Sequence, residues 1–214
     1  MRVKICGLTR AGDVNAALDE GADALGFVVA SPASPRNLEL SKAKRLMKEA
    51  RIFSTAVAVT STRDPRRVLE ICAKLRPTTL QLHYHSRSLI QLLRRRESST
   101  KLILATQIRD KRSVAAAKAS ALYSDAILGD SPSATGVGGT GIVNDWGLAV
   151  RIRKLIAPHP LVLAGGLSAD NVQDAIRRVR PFAVDVSSGV ERSVGVKDHR
   201  RIREFIIKAK EERV

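Results

Sequence analysis

The chain has few cysteines and few aromatic residues, and each shortage excludes a class of protein. Its two cysteines and four scattered histidines form no cluster with metal-ligand spacing, so we expect no metal site and no disulfide. Aromatic residues make up 3% of the chain, so side chains on which nucleic-acid bases stack are scarce. No apolar run is long enough to span a bilayer, and the charged start lacks the apolar stretch of a signal peptide. We therefore expect a cytoplasmic protein with no membrane partner.

Acidic residues are also in short supply. There are 21 of them against 37 Lys and Arg, which gives a net charge of +16. Such a balance suggests a nucleic-acid-binding module as one alternative. The basic residues are spread along the chain, however, and the densest runs, 94–96 and 177–178, fall in helical patterns that indicate a solvated outer face. We expect an arginine-rich surface and no nucleic-acid partner, although an anionic substrate would be attracted by the same field.

Short β-rich runs alternate with amphipathic helical runs along the whole chain. The predicted strands are Val3–Cys6, Ala24–Val29, Ser54–Val59, Thr79–His83, Leu102–Thr106, Ala126–Gly129, Leu161–Ala164 and Ala183–Ser187. The predicted helices lie near 11–20, 41–50, 64–75, 87–97, 111–120, 146–156, 169–179 and 198–211. This alternation indicates a parallel sheet. We predict an α/β fold with residues 1–214 forming a single (β/α)8 TIM barrel domain, with an open doubly wound sheet as the alternative.

Two glycine clusters near the C-terminus predict an anion site. Leu-Val-Leu-Ala-Gly-Gly-Leu-Ser at 161–168 and Phe-Ala-Val-Asp-Val-Ser-Ser-Gly-Val-Glu at 182–191 are each an apolar strand that ends in small residues before a helical segment. Small residues leave backbone N–H groups exposed, and a helix N-terminus adds its positive dipole end. On the last two strands of a barrel, this layout is typical of a phosphate site.

The first strand places a thiol at the carboxyl end of the barrel, where active sites of this fold lie. Alternation puts Lys4 and Cys6 on the inward face, since Val3 and Ile5 form the apolar outward face. A neighbouring cation would lower the pKa of the Cys6 thiol and suit it to act as a base or nucleophile. The alternative is a buried, inert cysteine. Cys72 falls in a helical pattern and is expected only to pack.

Two further strands, the sixth and the last, carry candidate carboxylates. Asp130 ends the sixth strand and is a candidate acid, with a turn residue before Ser131-Pro132 as the alternative. Asp125 starts that strand and is expected to be a solubilising or capping residue. Asp185 points inward in the last strand, where it would bind sugar hydroxyls or accept structural hydrogen bonds.

Two basic side chains are further candidates. His83 shares the inward face of the fourth strand with Gln81, and we favour a hydrogen-bonded position over a catalytic one. Arg36 ends a loop with two prolines, and a guanidinium placed there suits a carboxylate, which it can bind bidentately. The alternative is one more surface arginine.

The glycine-rich segment 136–146 is either a mobile loop over the site or a phosphate loop. It lacks the Gly-Lys-Ser/Thr of a nucleotide P-loop, and no predicted strand ends just before it. We therefore expect no nucleotide-binding role.

Together these segments resemble the phosphoribosylanthranilate isomerase family over nearly the whole chain. The blocks that carry the resemblance occur in the family's order, and they are Lys4–Thr9, Gly21–Val28, Ser34–Arg36, Gln81–His83, Gly138–Gly141, Asp145–Trp146, Ala164–Leu167, Asn171–Val172, Val184–Glu191 and Lys197–Asp198. Any one block is a weak signal, but the ordered set is specific.

The resemblance implies a (β/α)8 barrel that performs an Amadori rearrangement in tryptophan biosynthesis, without a cofactor or metal, as a monomer or homodimer. It implies that Cys6 is the general base and Asp130 the general acid. It also implies substrate contacts from Arg36, which would meet the anthranilate carboxylate, and from His83 and Asp185. The residues expected to bind the phosphate are Gly165, Gly166, Ser188 and Gly189.

The chain departs from the family pattern at three strand ends. Tyr84 and His85 follow Gln-Leu-His, the third strand reads Ala56–Thr60, and Leu128-Gly129 precedes the acidic residue of strand six. These departures concern the anthranilate pocket and the role of His83. A different phosphosugar barrel enzyme, an epimerase or a synthase, remains the enzymatic alternative, since it would share the phosphate site but not the Cys6 and Asp130 pair. A related isomerase of histidine synthesis typically uses two aspartates, so Cys6 argues against that substrate.

Overall fold

A computed structural model describes residues 1–131 and 145–212, and eight parallel strands there form a closed barrel in chain order. The strands are β1 Arg2–Ile5, β2 Ala24–Val28, β3 Thr55–Thr60, β4 Thr79–Leu82, β5 Lys101–Gln107, β6 Ala126–Asp130, β7 Leu161–Leu163 and β8 Ala183–Val186. The first and last strands pair in register, from Arg2 opposite Ala183 to Ile5 opposite Val186. This pairing closes the sheet, so the TIM barrel prediction is confirmed and the open-sheet alternative is wrong.

A helix follows each strand in the described part of the chain. The helices are α1 Ala11–Asp19, α2 Leu40–Met47, α3 Pro65–Leu75, α4 Arg87–Arg96, α5 Lys111–Ala121, α6 Trp146–Ile156, α7 Val172–Val179 and α8 His199–Glu211. Local signals set several boundaries. Gly21 takes a φ of +88° just after α1, and the Asp64 side chain accepts a hydrogen bond of 2.9 Å from the Arg66 N–H at the start of α3.

Alternation along the strands separates two hydrophobic regions. Outward residues such as Ile5 and Phe27 pack against the helices in the main core. Inward residues form smaller clusters inside the barrel, one of which contains Cys6, Val28 and Val57. Lys4 is also buried on the inward side, directly opposite Asp185 in the strand register. The predicted inward orientation of Lys4 and Cys6 is therefore confirmed, and β8 places a carboxylate next to them.

A short hairpin follows β8. A 3-10 turn at Ser188–Val190 leads into β9 Glu191–Ser193, which pairs antiparallel with β10 Val196–Lys197. Glu191 and Lys197 are register partners in this hairpin, and both side chains are buried. The hairpin thus brings two buried charges to the carboxyl end of β8, where the Lys197 Nζ donates to the Ser187 carbonyl oxygen.

Within residues 1–131 and 145–212, no helix combines the length and apolar character needed to cross a membrane. The same residues contain no group of three or more His, Cys, Asp or Glu side chains arranged to bind a metal ion.

Candidate active site

A cavity opens at the carboxyl ends of the strands and collects the side chains singled out from the sequence. Eight of the nine predicted site residues line it, namely Cys6, Arg36, His83, Asp130, Gly165, Gly166, Asp185 and Ser188. The ninth, Gly189, is not among the lining residues and instead packs in the turn behind Ser188. Residues distant in sequence meet here because parallel strands of a barrel present their carboxyl ends at one face.

Lys4 and Asp185 form a buried ion pair below Cys6. The Lys4 Nζ lies 2.9 Å from the Asp185 Oδ1, and both side chains are almost inaccessible to solvent. Burial alone would lower the pKa of Lys4, but Asp185 and the Cys6 sulfur raise it above its ordinary value, so Lys4 remains charged. Gly26 provides the space, because a Cβ there would lie 2.7 Å from the Cys6 Sγ and 3.1 Å from the Lys4 Nζ.

The pKa of the Cys6 thiol is raised above its ordinary value. Burial is the main cause, and the charge of Asp185 adds to it, while Lys4 and Lys197 act in the opposite direction. Lys4 does lower this pKa, as expected, but the expected net lowering is wrong, because desolvation of the buried thiol outweighs the contribution of a cation already paired with Asp185. Cys6 is therefore a thiol at rest and a strong base once it is ionised.

Asp130 keeps its proton at higher pH than an ordinary aspartic acid. Burial, with the nearby charge of Asp185, raises the pKa of its carboxyl to about 6. The Ser131 N–H donates to the Asp130 Oδ1 at 2.8 Å, and together with Lys4 it limits the increase. Such a carboxyl group can donate a proton near neutral pH.

Asp125, at the opposite end of the same strand, lies outside the cavity and has the contrary electrostatics. Its Oδ2 accepts hydrogen bonds of 2.8 Å from Arg94 and from the Leu102 N–H. Burial is outweighed by these bonds, which lower the pKa of Asp125. The pKa is therefore lowered for the carboxyl group at one end of β6 and raised for the carboxyl group at the other end.

His83 is a neutral imidazole. Burial lowers its pKa to about 4, and the charge of Lys4 contributes in the same direction. Its Nε2 lies 3.1 Å from the Gln81 Nε2, as expected for a hydrogen-bonded position in the upper layer of the barrel.

Arg36 is buried, with 7% of its surface exposed, so the surface-arginine alternative is wrong. Its Nε and NH2 groups each donate a hydrogen bond of 2.7 Å to the Glu191 carboxylate. Gly7 makes this position accessible, because it takes a φ of +72° and a Cβ there would lie 2.5 Å from the Arg36 Cδ. Sequence reasoning missed Glu191 as a partner, because the residue lies beyond the end of β8 and only the hairpin returns it to the site.

The ends of β7 and β8 carry the four residues predicted to bind an anion, Gly165, Gly166, Ser188 and Gly189, here called the phosphate cup. Gly165 and Gly166 take φ values of +87° and +64°, which L side chains rarely adopt. A Cβ on Gly165 would lie 2.1 Å from the Ser131 Oγ, and one on Gly189 would lie 2.0 Å from the Leu167 carbonyl oxygen. Glycine therefore permits both the turn and the close approach of the two strand ends.

The glycine-rich segment 136–146 falls mostly on residues 132–144, which lie outside the described residues, so neither reading of that loop is tested. Asp145 is described, and its side chain accepts hydrogen bonds from the N–H groups of Gly147 and Leu148 at the start of α6.

Comparison with known proteins identifies the family. The family model for N-(5'-phosphoribosyl)anthranilate isomerase matches residues 3–208. A relative from Halorubrum lacusprofundi with that name is 40% identical over 210 residues, which cover 97% of this chain and 96% of the relative. The chain belongs to the phosphoribosylanthranilate isomerase family. It is accordingly an aldose–ketose isomerase of tryptophan biosynthesis, as the resemblance implied.

Solved structures of the same isomerase agree with this assignment. The Thermotoga maritima enzyme superposes with a TM-score of 0.86 at 36% identity, covering 99% of this chain and all of that one. A phosphoribosylanthranilate isomerase in complex with reduced 1-(o-carboxyphenylamino)-1-deoxyribulose 5-phosphate gives a TM-score of 0.83 at 35% identity, with 99% and 100% coverage. A further Thermotoga maritima structure, at 34% identity, a TM-score of 0.82 and 98% coverage of both chains, is of monomers generated from the dimeric enzyme.

Proposed function

We propose that Cys6 and Asp130 isomerise N-(5-phosphoribosyl)anthranilate to 1-(2-carboxyphenylamino)-1-deoxyribulose 5-phosphate, as general base and general acid. The observation that carries this proposal is that a buried carboxyl with a pKa of about 6 and a buried thiol line the same cavity. An acid that retains its proton and a base that is strong when ionised are the two groups that this rearrangement needs.

The substrate is oriented by its two anionic ends. The phosphate binds at the cup, where glycine backbone at the ends of β7 and β8 supplies N–H donors. The anthranilate carboxylate meets Arg36, and His83 and Asp185 contact the substrate between these ends. The positive net charge of the protein attracts a molecule with two anionic groups.

In the first step Asp130 donates its proton to the furanose ring oxygen, and the bond from that oxygen to C1 breaks. The nitrogen lone pair forms the new C=N bond, which leaves an open-chain Schiff base. The Cys6 thiolate then removes the proton from C2, and the electron pair of that C–H bond moves to give the enolamine. The enolamine relaxes to the ketone by proton transfer from the C2 hydroxyl to C1, so no redox partner is consumed.

Turnover of the anthranilate substrate, followed by its fluorescence, tests these roles. We expect Cys6→Ala and Asp130→Ala to lose activity, whereas Cys72→Ala, a change at a buried cysteine on α3, should keep it. Absence of turnover by the unmodified chain, or full turnover by both Cys6→Ala and Asp130→Ala, would contradict the mechanism.

We also propose that the chain acts as a homodimer. Ile52 and Phe53 are 90% and 91% exposed in the turn before β3, at the amino end of the barrel, where Phe182 is also partly exposed. An apolar patch at that end is consistent with a relative described as dimeric. We expect Phe53→Lys to shift the mass measured by light scattering from dimer to monomer, while Val194→Lys, at an exposed apolar position in the β9–β10 hairpin beyond the carboxyl end of β8, should not.

Domain organisation, location and partners form the last part of this proposal. We propose that residues 1–214 form one domain that works in the cytoplasm, without a cofactor and without a nucleic-acid or membrane partner. Binding of random DNA in a gel-shift assay at physiological salt should be weak, because the basic side chains are spread over the outer helices.

A further inference from the structure

A cluster of three buried charges, Arg36, Glu191 and Lys197, adjoins the cavity through Arg36. The Glu191 carboxylate accepts hydrogen bonds from the Arg36 Nε and NH2 groups, each at 2.7 Å, and from the Lys197 Nζ at 3.0 Å. The side chains of all three are at least nine-tenths buried. Arg36 lines the cavity, but Glu191 and Lys197 are absent from its described lining. Two of the three charges are therefore behind the site and not in it.

The hydrogen bonds to Glu191 occupy one edge of the Arg36 guanidinium and leave the other edge for a ligand. A guanidinium carries five N–H groups, which form two forks that can each bind a carboxylate bidentately. Glu191 takes the fork formed by Nε and NH2. The fork formed by NH1 and NH2 meets no acceptor among residues 1–131 and 145–212, and the residue borders the cavity. Arg36 can thus bind a second carboxylate without releasing the first.

Glu191 is itself fixed from two directions. Lys197, its register partner across the β9–β10 hairpin, donates from Nζ both to Glu191 and to the Ser187 carbonyl oxygen at 3.0 Å. The Lys197 backbone N–H donates to the Asp13 Oδ2 at 3.2 Å, which ties the hairpin to α1. The position of the Glu191 carboxylate is therefore set by the barrel and not by a flexible loop.

We propose that Glu191 is a positioning residue for substrate recognition: it binds one edge of Arg36, is held by Lys197, and directs the other edge of Arg36 at the ring carboxylate of the substrate. This inference rests on the proposed contact between Arg36 and that carboxylate. A guanidinium already fixed before the substrate arrives loses less conformational entropy on binding, so the carboxylate contributes more to affinity.

Glu191→Gln should disrupt this arrangement. The amide keeps the shape but replaces one acceptor oxygen with an NH2 group, which would face an Arg36 N–H donor. It also leaves two neighbouring buried cations, Arg36 and Lys197, without the carboxylate that lies between them. We expect the guanidinium to leave its position, so KM rises while kcat changes little, because neither Cys6 nor Asp130 is altered.

Calorimetric binding of two compounds tests the inference directly. One is reduced 1-(o-carboxyphenylamino)-1-deoxyribulose 5-phosphate, and the other is the same compound without the ring carboxylate. The unmodified enzyme should prefer the first by about 10- to 100-fold, the range expected for a charged hydrogen-bonded pair. Glu191→Gln should bind both about equally, with the affinity for the second compound unchanged.

Glu70→Gln is the matched control. Glu70 on α3 also bridges an arginine and a lysine, Arg67 and Lys74, but the cluster is partly exposed and lies outside the cavity. This variant should keep the full preference for the carboxylate-bearing compound.

The outcomes separate this inference from the proposed function. If the unmodified enzyme binds both compounds equally, the assigned role of Arg36 fails, and the inference fails with it. If the unmodified enzyme discriminates and Glu191→Gln discriminates as well or better, only the positioning role is overturned. If Glu191→Gln does not fold, Glu191→Asp replaces it, because aspartate keeps the charge between Arg36 and Lys197 but is one methylene too short to hold both N–H groups of Arg36 in place. Loss of the preference in that variant supports the inference, and its full retention refutes it.

Discussion

Replacing the proposed acid should make the protein more stable while it leaves only a small residual activity. Asp130 is 6% exposed, and its pKa is raised from 3.8 to about 6, mainly by burial and by the charge of Asp185. At neutral pH the folded protein therefore contains a carboxylate that burial disfavours. Asn has nearly the same shape, carries no charge, and its oxygen can still accept the hydrogen bond from the Ser131 N–H.

The size and sign of the effect follow from the two pKa values. The folded state binds the Asp130 proton more tightly than the unfolded state, so this group favours folding at low pH. That contribution is lost as the pH rises from about 4 through 6. A difference of about two units corresponds to about 3 kcal/mol. We expect Asp130→Asn to raise the free energy of unfolding by about this amount at pH 7 to 8, and by much less at pH 4.

Urea unfolding followed by circular dichroism at several pH values measures this difference. His83 also titrates in the window, since its pKa is lowered to about 4, but it is present in both proteins and cancels in the comparison. Asp125→Asn is the control on the same strand. The pKa of Asp125 is lowered, so its replacement should reduce stability at neutral pH and have less effect in acid. A variant Asp130→Asn that is less stable than the unmodified protein at pH 7, or whose gain does not shrink on acidification, would refute the reasoning.

Three further predictions concern activity. The value of kcat/KM should rise with pH up to about 6 and then level off, because above that pH the loss of the Asp130 proton offsets the gain in Cys6 thiolate. In Asp130→Asn the residual kcat/KM should instead keep rising with pH. A levelling near pH 6 in that variant would argue against Asp130 as the acid. Cys6→Ser should lower kcat by about 100-fold or more in the fluorescence assay, since a serine hydroxyl loses its proton far less readily than a thiol. Activity near that of the unmodified enzyme would eliminate Cys6 as the base. Gly165→Ala should weaken inhibition by inorganic phosphate and raise KM, because the new Cβ would meet Ser131 at a positive φ; unchanged phosphate inhibition would place the anion elsewhere.

Much of the fold could be predicted from the sequence, because its signals are local. The alternation of apolar strands with amphipathic helices predicted the order of the elements. Asp64 marked the start of a helix because its side chain accepts a backbone hydrogen bond, and Gly21 marked the end of another because it adopts a positive φ. Two serines near helix starts do not mark a boundary in this way. Helix α2 begins at Leu40, before Ser41, and Ser168 accepts a hydrogen bond from the Asp170 N–H in the turn before α7. Serine at a boundary favours several local turns equally, so the neighbouring packing decides which one forms.

Sequence reasoning named eight residues that line the cavity, but it did not predict the electrostatics there. Period-two alternation was enough to direct Cys6 inward, whereas the direction of its pKa shift depended on how deeply it is buried and on how Lys4 is paired. Glu191 ends one of the blocks that carry the resemblance, but its contact with Arg36 had no signal, since a carboxylate beyond the last strand end resembles any loop residue until the hairpin is formed. Burial and pairing are properties of groups far apart in the chain, so they have no local pattern.

The sequence by itself therefore determined the (β/α)8 order, the inward set on each strand and the two glycine turns, because each depends on neighbouring residues and on the fixed geometry of the backbone. Only the tertiary structure decided that Lys4 forms an ion pair with Asp185, that Asp130 retains its proton to about pH 6, and that Arg36 is held by Glu191. These features arise from desolvation and from charges brought together across 155 to 181 residues of chain, which only the closed barrel achieves.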